Sequence, residues 1–330
     1  MRIFNSLEEA RISFAPSAVT IGNFDGVHAA HRELMRVVVR MARECAARPS
    51  ALTFSPHPTE VVAPDRAPLL LSSPAERCAL MEHDGVEQAL ILPFDAHLSS
   101  LDAEAFFREV LLDALGARAV VVGENFLFGS RQCGDVGTLR ALGEKYRVRV
   151  GIVPTVVLRG VPVSSSEIRR LLGSGDVTRA ARLLGRPFAV SGAVVPGEGR
   201  GRRETVPTLN LEMPSLALER AAVPANGVYI TRTFEEQDAG DVHRRPGQRT
   251  WRSVTNVGYR PTFGGRHLTI ETFLLDPLEG GAPGQIRVEF LRRIRDEQAF
   301  PSAEILRAQI LRDVGRAQAF FRRTAAIPPG

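Results

Sequence analysis

The stretch Val19-Thr20-Ile21-Gly22-Asn23-Phe24-Asp25-Gly26-Val27-His28-Ala29-Ala30-His31 decides how the chain is read. It opens as a short apolar run, the mark of a buried strand. Gly22 and Gly26 permit a tight turn and close approach of the backbone to a ligand. Residues 28–40 then read as a helix, with Leu34, Val38 and Met41 along one face. His28 and His31 project from the same side of its first turn. A helix start carries unpaired N–H groups and partial positive charge, which suit a phosphate. Two imidazoles there add donors that can stabilise charge growing on a leaving group. The His-x-x-His spacing alone also suits two ordinary histidines, or half of a zinc site. Zinc needs three or four ligands, and no third His or Cys stands nearby at a familiar spacing. The preceding strand and glycine turn favour the phosphate.

Outward from that stretch, a length of 330 residues suggests two domains, each with chain enough for its own core. At 44% hydrophobic and 24% charged, the composition is that of a globular protein, not a disordered or fibrous one. The formal charge of +5 suits anionic ligands and, equally, a plain basic surface. Lys145 is the one lysine among many arginines, a bias that points to a GC-rich genome more than to nucleic-acid binding. Cys45, Cys78 and Cys133 are scattered, which argues against a disulfide framework or structural zinc and fits a reducing cytoplasm. The first residues lead into Glu8 and Glu9, not an apolar signal core, and no run approaches the roughly 18 apolar residues of a membrane helix. The expectation is a cytoplasmic protein with small-molecule partners, no nucleic acid and no membrane; homo-oligomerisation stays open.

In the first half, residues 50–54 read as a strand ending at Phe54, and Pro56-His57-Pro58 as a loop in which His57 suits a turn better than catalysis. Helices are expected over 74–81 and 102–115, and strands over 89–92, 119–122 and 151–154. This alternation predicts an α/β fold with a doubly wound parallel sheet, whose ligands bind beyond the carboxyl ends of the strands. Gly123-Glu124-Asn125-Phe126-Leu127-Phe128-Gly129 follows one such end. Asn125 can both donate and accept, as a polar ligand requires. Phe126 and Phe128 suit an aromatic ligand or, equally, a role as core plugs. In Val163-Ser164-Ser165-Ser166-Glu167-Ile168-Arg169, Ser164 and Glu167 fit a capping box. The same helix start offers hydroxyls and Arg169 to phosphates. A helix over 177–184 leads to Gly185-Arg186-Pro187, where a boundary is expected, giving domains 1–185 and 186–330.

Beyond that boundary, short β-prone runs alternate with Gly/Pro turns, as in a small barrel. After a strand at 190–195, Gly197-Glu198-Gly199-Arg200-Gly201-Arg202 is a loop that would cradle phosphates or simply be a solvated turn. In Pro207-Thr208-Leu209-Asn210-Leu211, Thr208 and Asn210 share one face and offer a plausible share of a Mg²⁺ shell completed by phosphates and water, or are simply a β-prone Thr and a turn Asn. Glu271, on a strand over 268–275, has apolar sequence neighbours and suits a general base, or a solvent-facing carboxylate; Glu289 is its rival. Leu306, Ile310, Val314, Ala317 and Phe321 form a helical stripe expected to pack on the barrel.

These motifs carry a resemblance. Residues 22–31 resemble the signature G-x-F-D-G-x-H-x-G-H of the bacterial bifunctional riboflavin kinase/FMN adenylyltransferases, also called FAD synthetases, with Ala30 where glycine is usual. Residues 54–58, 123–129 with Gly134-Asp135, and 164–169 are similar to further elements of their first domain. Residues 197–211, 226–229, 255–263 and the segment around Glu271 resemble riboflavin kinase motifs. Departures fall at Arg203-Glu204-Thr205-Val206, where the family commonly has a stretch ending L-G-F, and at Phe273 and Pro277, where His and Phe are usual. The resemblance implies a Rossmann-like nucleotidylyltransferase domain with a parallel sheet, then a small antiparallel β-barrel riboflavin kinase domain with a C-terminal helix. It implies phosphorylation of riboflavin to FMN and adenylylation of FMN to FAD, with ATP as co-substrate and Mg²⁺ as cofactor. It implies ATP binding by Gly22, Phe24, Asp25, His28, His31, Ser164, Ser165, Arg169, Gly199, Gly201, Thr208 and Asn210. Phe54, Asn125 and Phe128 would meet the flavin, Thr208 and Asn210 the metal. His28, His31, Asn125, Arg169 and Glu271 would carry the chemistry. A single working domain, a flavin-binding regulatory protein, and an RNA-linked enzyme with a related His-x-Gly-His site are the alternatives.

Overall fold

The apolar run before Gly22 is a central strand of a six-stranded parallel sheet. The strands are β1 (Arg2–Phe4), β2 (Ser17–Ile21), β3 (Arg48–Phe54), β4 (Gln88–Leu92), β5 (Ala117–Gly123) and β6 (Arg149–Val153), in the order β1-β4-β3-β2-β5-β6. This is a computed structural model that describes residues 1–195, 208–213, 220–237, 247–262 and 265–325. The chain forms two compact units, Met1–Ser165 and Ser166–Gly330, so the packing boundary falls ahead of the boundary expected at 185/186.

In the first unit, every residue of β2 is buried, as a strand covered on both faces requires. From β2 the chain builds outward through β3 and β4 on one side, and through β5 and β6 on the other. The order therefore reverses between β2 and β5, and such a switch point opens a crevice at the carboxyl ends of the strands. The helix Ala29–Glu44 turns Leu34, Met35, Val37, Val38 and Ala42 toward the core. A Cβ at Gly151 on β6 would lie 2.7 Å from Met41 Sδ, so that contact depends on a glycine. The helix Pro74–His83 begins with a complete capping box between Ser73 and Glu76. Where one helix was expected over 102–115, the α-helix Ala103–Phe106 continues as the π-helix Phe107–Ala114.

The second unit takes in the helix Ser165–Gly173 from its second residue, then the helix Val177–Leu184, and continues into a closed antiparallel barrel. Its strands are β9 (Phe188–Val195), β10 (Thr208–Glu212), β11 (Gly227–Glu235), β12 (Thr250–Thr262), β13 (Gly265–Leu274) and β14 (Gln285–Arg295), in the order β10-β13-β12-β11-β14-β9; β7 (Val157–Leu158) and β8 (Val161–Pro162) form a small hairpin before them, in the first unit. Strand alternation sends Leu209, Leu211, Tyr229, Ile270 and Phe290 inward. Five buried hydroxyls join them in one ladder. Thr233 pairs with Ser253 at 2.8 Å, Ser253 with Thr231 at 2.8 Å, Thr231 with Thr255 at 2.7 Å and Thr255 with Thr272 at 3.0 Å. Each buried hydroxyl thus finds the partner it needs.

The helix Ala303–Ala325 packs on the outside, its Ala317 and Phe321 against Val228, Ile230 and Val254. The expected apolar stripe holds only over the helix's second half, because Leu306 is 41% exposed. Between the halves, Asp313 is 2% exposed and accepts from Arg295 Nε on β14 at 2.8 Å and from Gln309 Nε2 at 2.9 Å. Removing one partner of a buried pair strands the other charge, so Asp313→Ala is expected to destabilise the second unit by about 3 kcal/mol. A urea titration would show this as a lower midpoint with unchanged slope.

Candidate active sites

The turn after β2 is folded tightly on itself. Gly22 N donates to Leu52 O at 3.1 Å, and the Phe24 ring lies over Gly22, 3.1 Å from where a Cβ would stand. Phe24 and Val27, both fully buried, have φ of 48° and 36°, conformations that cost a non-glycine residue energy and are held only by their surroundings. His28 caps the following helix, its Nδ1 accepting from His31 N at 3.4 Å. In the neutral ring the proton then sits on Nε2, leaving a donor directed away from the cap. The rings of His28 and His31 stack at 3.6 Å and 14°, and Phe24 meets His31 edge-on at 5.2 Å. Both imidazoles therefore stand together at the start of the helix, as their spacing predicts.

Two charged side chains anchor this turn. Asp25 is buried, and its carboxylate accepts from Leu71 N at 2.9 and 3.0 Å, from Ser72 N at 3.1 Å and from Ser72 Oγ at 3.3 Å. The expected nucleotide-binding carboxylate thus faces the segment before Pro74 and acts on the turn from behind. Arg77, buried at the carboxyl ends of β2 and β3, donates from Nη1 to Asn23 O at 2.8 Å, to Thr53 Oγ1 at 3.1 Å and to Phe54 O at 3.3 Å. Burial pulls its pKa down, and the nearby Asp25 partly offsets this. Sequence reading passed over Arg77 and Thr53. An arginine inside an amphipathic helix ordinarily reads as a solvated residue, and only the fold shows what lies above it.

Across the switch point, the loop after β5 is tied to the end of β6. Asn125 is exposed and its Nδ2 donates to Thr155 Oγ1 at 3.3 Å, while Glu124 accepts from Thr155 N at 3.0 Å. The Thr155 hydroxyl also donates to Glu124, and this bond, with that from Thr155 N, holds the Glu124 carboxyl below the usual carboxylate range. Phe128, expected on the flavin, is 6% exposed and enclosed between Phe106 and Phe126; the core-plug role is the one it fills. Its backbone pairs with Gly134 in both directions at 2.9 Å, and a Cβ at Gly134 would strike its ring at 2.8 Å. Phe54 is half-buried and meets Phe94 edge-on at 5.7 Å. His57 caps the short helix Pro58–Val62, and its Nε2 lies 3.0 Å from the Asn23 amide, a turn role linked to the signature loop.

Ser165 Oγ donates to Asp25 O at 2.9 Å, which brings this distant serine onto the same turn. Ser164 directly precedes the helix Ser165–Gly173, and Arg169 stands one turn after Ser165 on it. Glu167, expected to reach back as a cap, grips Arg170 at 2.6 and 2.7 Å.

On the barrel, strand register gathers the polar residues. Asn210 on β10 is paired with Glu271 on β13, and Glu271 in turn with Asn256 on β12. Thr208 is paired with Phe273, the residue where a His was usual. All are half-buried while their neighbours Leu209, Ile270, Thr272 and Thr255 point inward, so they line the outer face. The apolar surroundings read for Glu271 from its sequence neighbours therefore lie on the opposite face; its cross-strand neighbours are amides. Glu289, the rival, lies 3.9 Å from Arg232, its register partner on β11. Asn256 is a third member of the row that sequence reading did not single out. Gly199, Gly201 and residues 203–206 lie outside the described residues. Among the described residues, no cluster of three or more His, Cys, Asp or Glu side chains could hold a metal.

The FAD synthetase family matches residues 11–167, and the riboflavin kinase family residues 184–321. The bifunctional riboflavin kinase/FMN adenylyltransferase of Pseudomonas fluorescens is 35% identical, over 98% of this chain and 99% of its own. That of Escherichia coli K12 is 34% identical, over 93% of each. A crystal structure of a chain called a macrolide-efflux protein, from Streptococcus pneumoniae, has a TM-score of 0.83 at 30% identity and covers 96% of this chain and 98% of that one. Among the described residues of this chain, no helix is long and apolar enough to cross a membrane. With both families matched in order and relatives similar from end to end, the chain belongs to the bifunctional riboflavin kinase/FMN adenylyltransferase family.

Proposed function

We propose that this chain makes FAD from riboflavin in two ATP-dependent steps, divided functionally at 185/186. The observation that carries the reading is the pair of separate polar constellations, one after β2 and one across β10, β13 and β12, each within the span of one matching family.

In the first step, the 5′-hydroxyl of riboflavin attacks the γ-phosphorus of ATP, the bond to the β-phosphate oxygen breaks, and ADP leaves. Glu271 accepts the hydroxyl proton, and Asn210 and Asn256 on either side keep its carboxylate oriented. Thr208 and Asn210 offer neutral oxygens beside that carboxylate, a hard donor set that fits Mg²⁺ held mainly by substrate phosphates. The ion, when bound, supplies neutralisation of phosphate charge. Gly199 and Gly201 are proposed to approach the nucleotide through backbone N–H groups.

In the second step, an FMN phosphate oxygen attacks the α-phosphorus of ATP, and pyrophosphate leaves. Gly22 and Phe24 shape the nucleotide turn, with Asp25 holding it from behind. His28 and His31 donate to phosphate oxygens as charge passes to the leaving group, and Ser164, Ser165 and Arg169 add hydroxyls and a cation. Asn125 and Phe54 orient the flavin, and Phe128 stiffens the Asn125 loop. The work is alignment and charge stabilisation, and no covalent intermediate is needed.

Incubating the protein with riboflavin, ATP and Mg²⁺ and separating the flavins tests this directly. FAD is the expected product. FMN alone would implicate Ala30 in a failed second step, and untouched riboflavin with added FMN still converted would implicate Phe273 and residues 204–206.

A further inference from the structure

Arg77 is a buried cation to which neither step assigns a part. It is 3% exposed, and no described carboxylate lies within ion-pair distance of it. Its Nε is buried with no hydrogen-bond partner among the described residues. Burying a guanidinium in this way is costly, and an apolar residue of similar length would fill the space at less expense. What the guanidinium does is bridge two strand ends. One nitrogen, Nη1, faces Asn23 O at 2.8 Å, Thr53 Oγ1 at 3.1 Å and Phe54 O at 3.3 Å. Thr53 Oγ1 itself donates to Asn23 O at 3.1 Å, so this carbonyl is held by two donors.

The anchorage continues through the same segment. Leu71 and Ser72, just before the helix that carries Arg77, hold the Asp25 carboxylate, and Gly26 N donates to Ser72 Oγ at 2.8 Å. Residues 71–77 therefore hold the signature turn by a carbonyl at Asn23, a carboxylate at Asp25 and an N–H at Gly26. The turn leads directly into His28, and the strained φ angles at Phe24 and Val27 need such external support.

We propose that Arg77 is a positioning residue for adenylyl transfer, which fixes the Asn23 carbonyl and through it the pose of the stacked His28 and His31. This rests on the adenylyltransferase reading above. Arg77 touches the turn from beneath, so its loss displaces the reacting groups without removing one of them.

The test uses full-length Arg77→Met and Arg77→Lys proteins. FMN-to-FAD and riboflavin-to-FMN kinetics are measured on the same samples, below the melting temperature of each. Because a displacement near 1 Å costs about 100-fold, Arg77→Met is expected to lower kcat for FAD formation about 30- to 100-fold, with KM for ATP changed less than about 3-fold. Riboflavin phosphorylation stays within about 2-fold, and Arg77→Lys, which restores a cationic donor, recovers at least about a third of the lost kcat. A folded Arg77→Met protein with wild-type FAD kcat overturns the proposal, as does a loss confined to KM. Should Arg77→Met not fold, Thr53→Val removes the second donor to Asn23 O and keeps the charge. A kcat drop of about 3- to 10-fold supports the proposal and an unchanged kcat overturns it. Wild-type protein that makes no FAD would instead overturn the adenylyltransferase reading, a result distinct from any behaviour of the variants.

Discussion

The His28→Ala protein is expected to turn riboflavin into FMN and stop there. With Nδ1 of His28 capping the helix, Nε2 is the ring's donor in the neutral form, and a leaving pyrophosphate needs donors placed before charge develops. Removing one such donor typically lowers kcat by about 100- to 1,000-fold, so FAD formation from supplied FMN should fall by that much. The substitution also removes a helix cap, which costs about 1 kcal/mol of stability. His28→Asn separates the two effects, because asparagine caps a helix well but lacks a donor at the imidazole's reach. Near-normal melting with FAD formation still lost would assign the defect to chemistry. Recovery of FAD formation in His28→Asn would show that the cap, not the donor, was needed. FMN formation serves as the internal control, and its parallel loss in both variants would contradict two independent sites.

Glu271→Gln should produce the converse: riboflavin untouched, but added FMN still converted to FAD. Glutamine keeps the size and the flanking amides, so the barrel face stays assembled while the proton acceptor is gone. General-base catalysis contributes about 100- to 10,000-fold, and FMN formation should drop within that range. Glu289→Gln is the matched comparison. Glu289 sits opposite Arg232 at 3.9 Å, and loss of such a partly exposed ion pair costs at most about 1 kcal/mol. Its kinase rate should stay within about 5-fold of wild type, the factor to which about 1 kcal/mol corresponds. If Glu289→Gln were the more damaging change, the catalytic assignment would pass to the rival carboxylate.

The signals that were legible in the sequence are local ones. The helix after His28 and the buried runs of β2 and β5 depend on residues within a turn or a strand. The alternation of such segments was enough to predict the parallel sheet, and the thinning of helical period enough to predict the barrel. The histidine pair was legible for the same reason, since spacing along one helix sets which side chains share a face.

Other features depended on which distant segments meet. Asp25 resembles a ligand-facing carboxylate until Leu71 and Ser72 are seen against it, and Phe128 an aromatic platform until Phe106 and Gly134 enclose it. Arg77 becomes notable only beneath Asn23 and Phe54. The row Asn210, Glu271, Asn256 exists only through strand register. By itself, then, the sequence determined the two domain types, the helix-borne histidines and the candidate carboxylates. Tertiary structure alone decided which polar groups stand together, which brace the loops and which amides flank Glu271. Helix caps and periodicity are settled over a few bonds, whereas burial and register arise only when strands far apart in the chain are brought side by side.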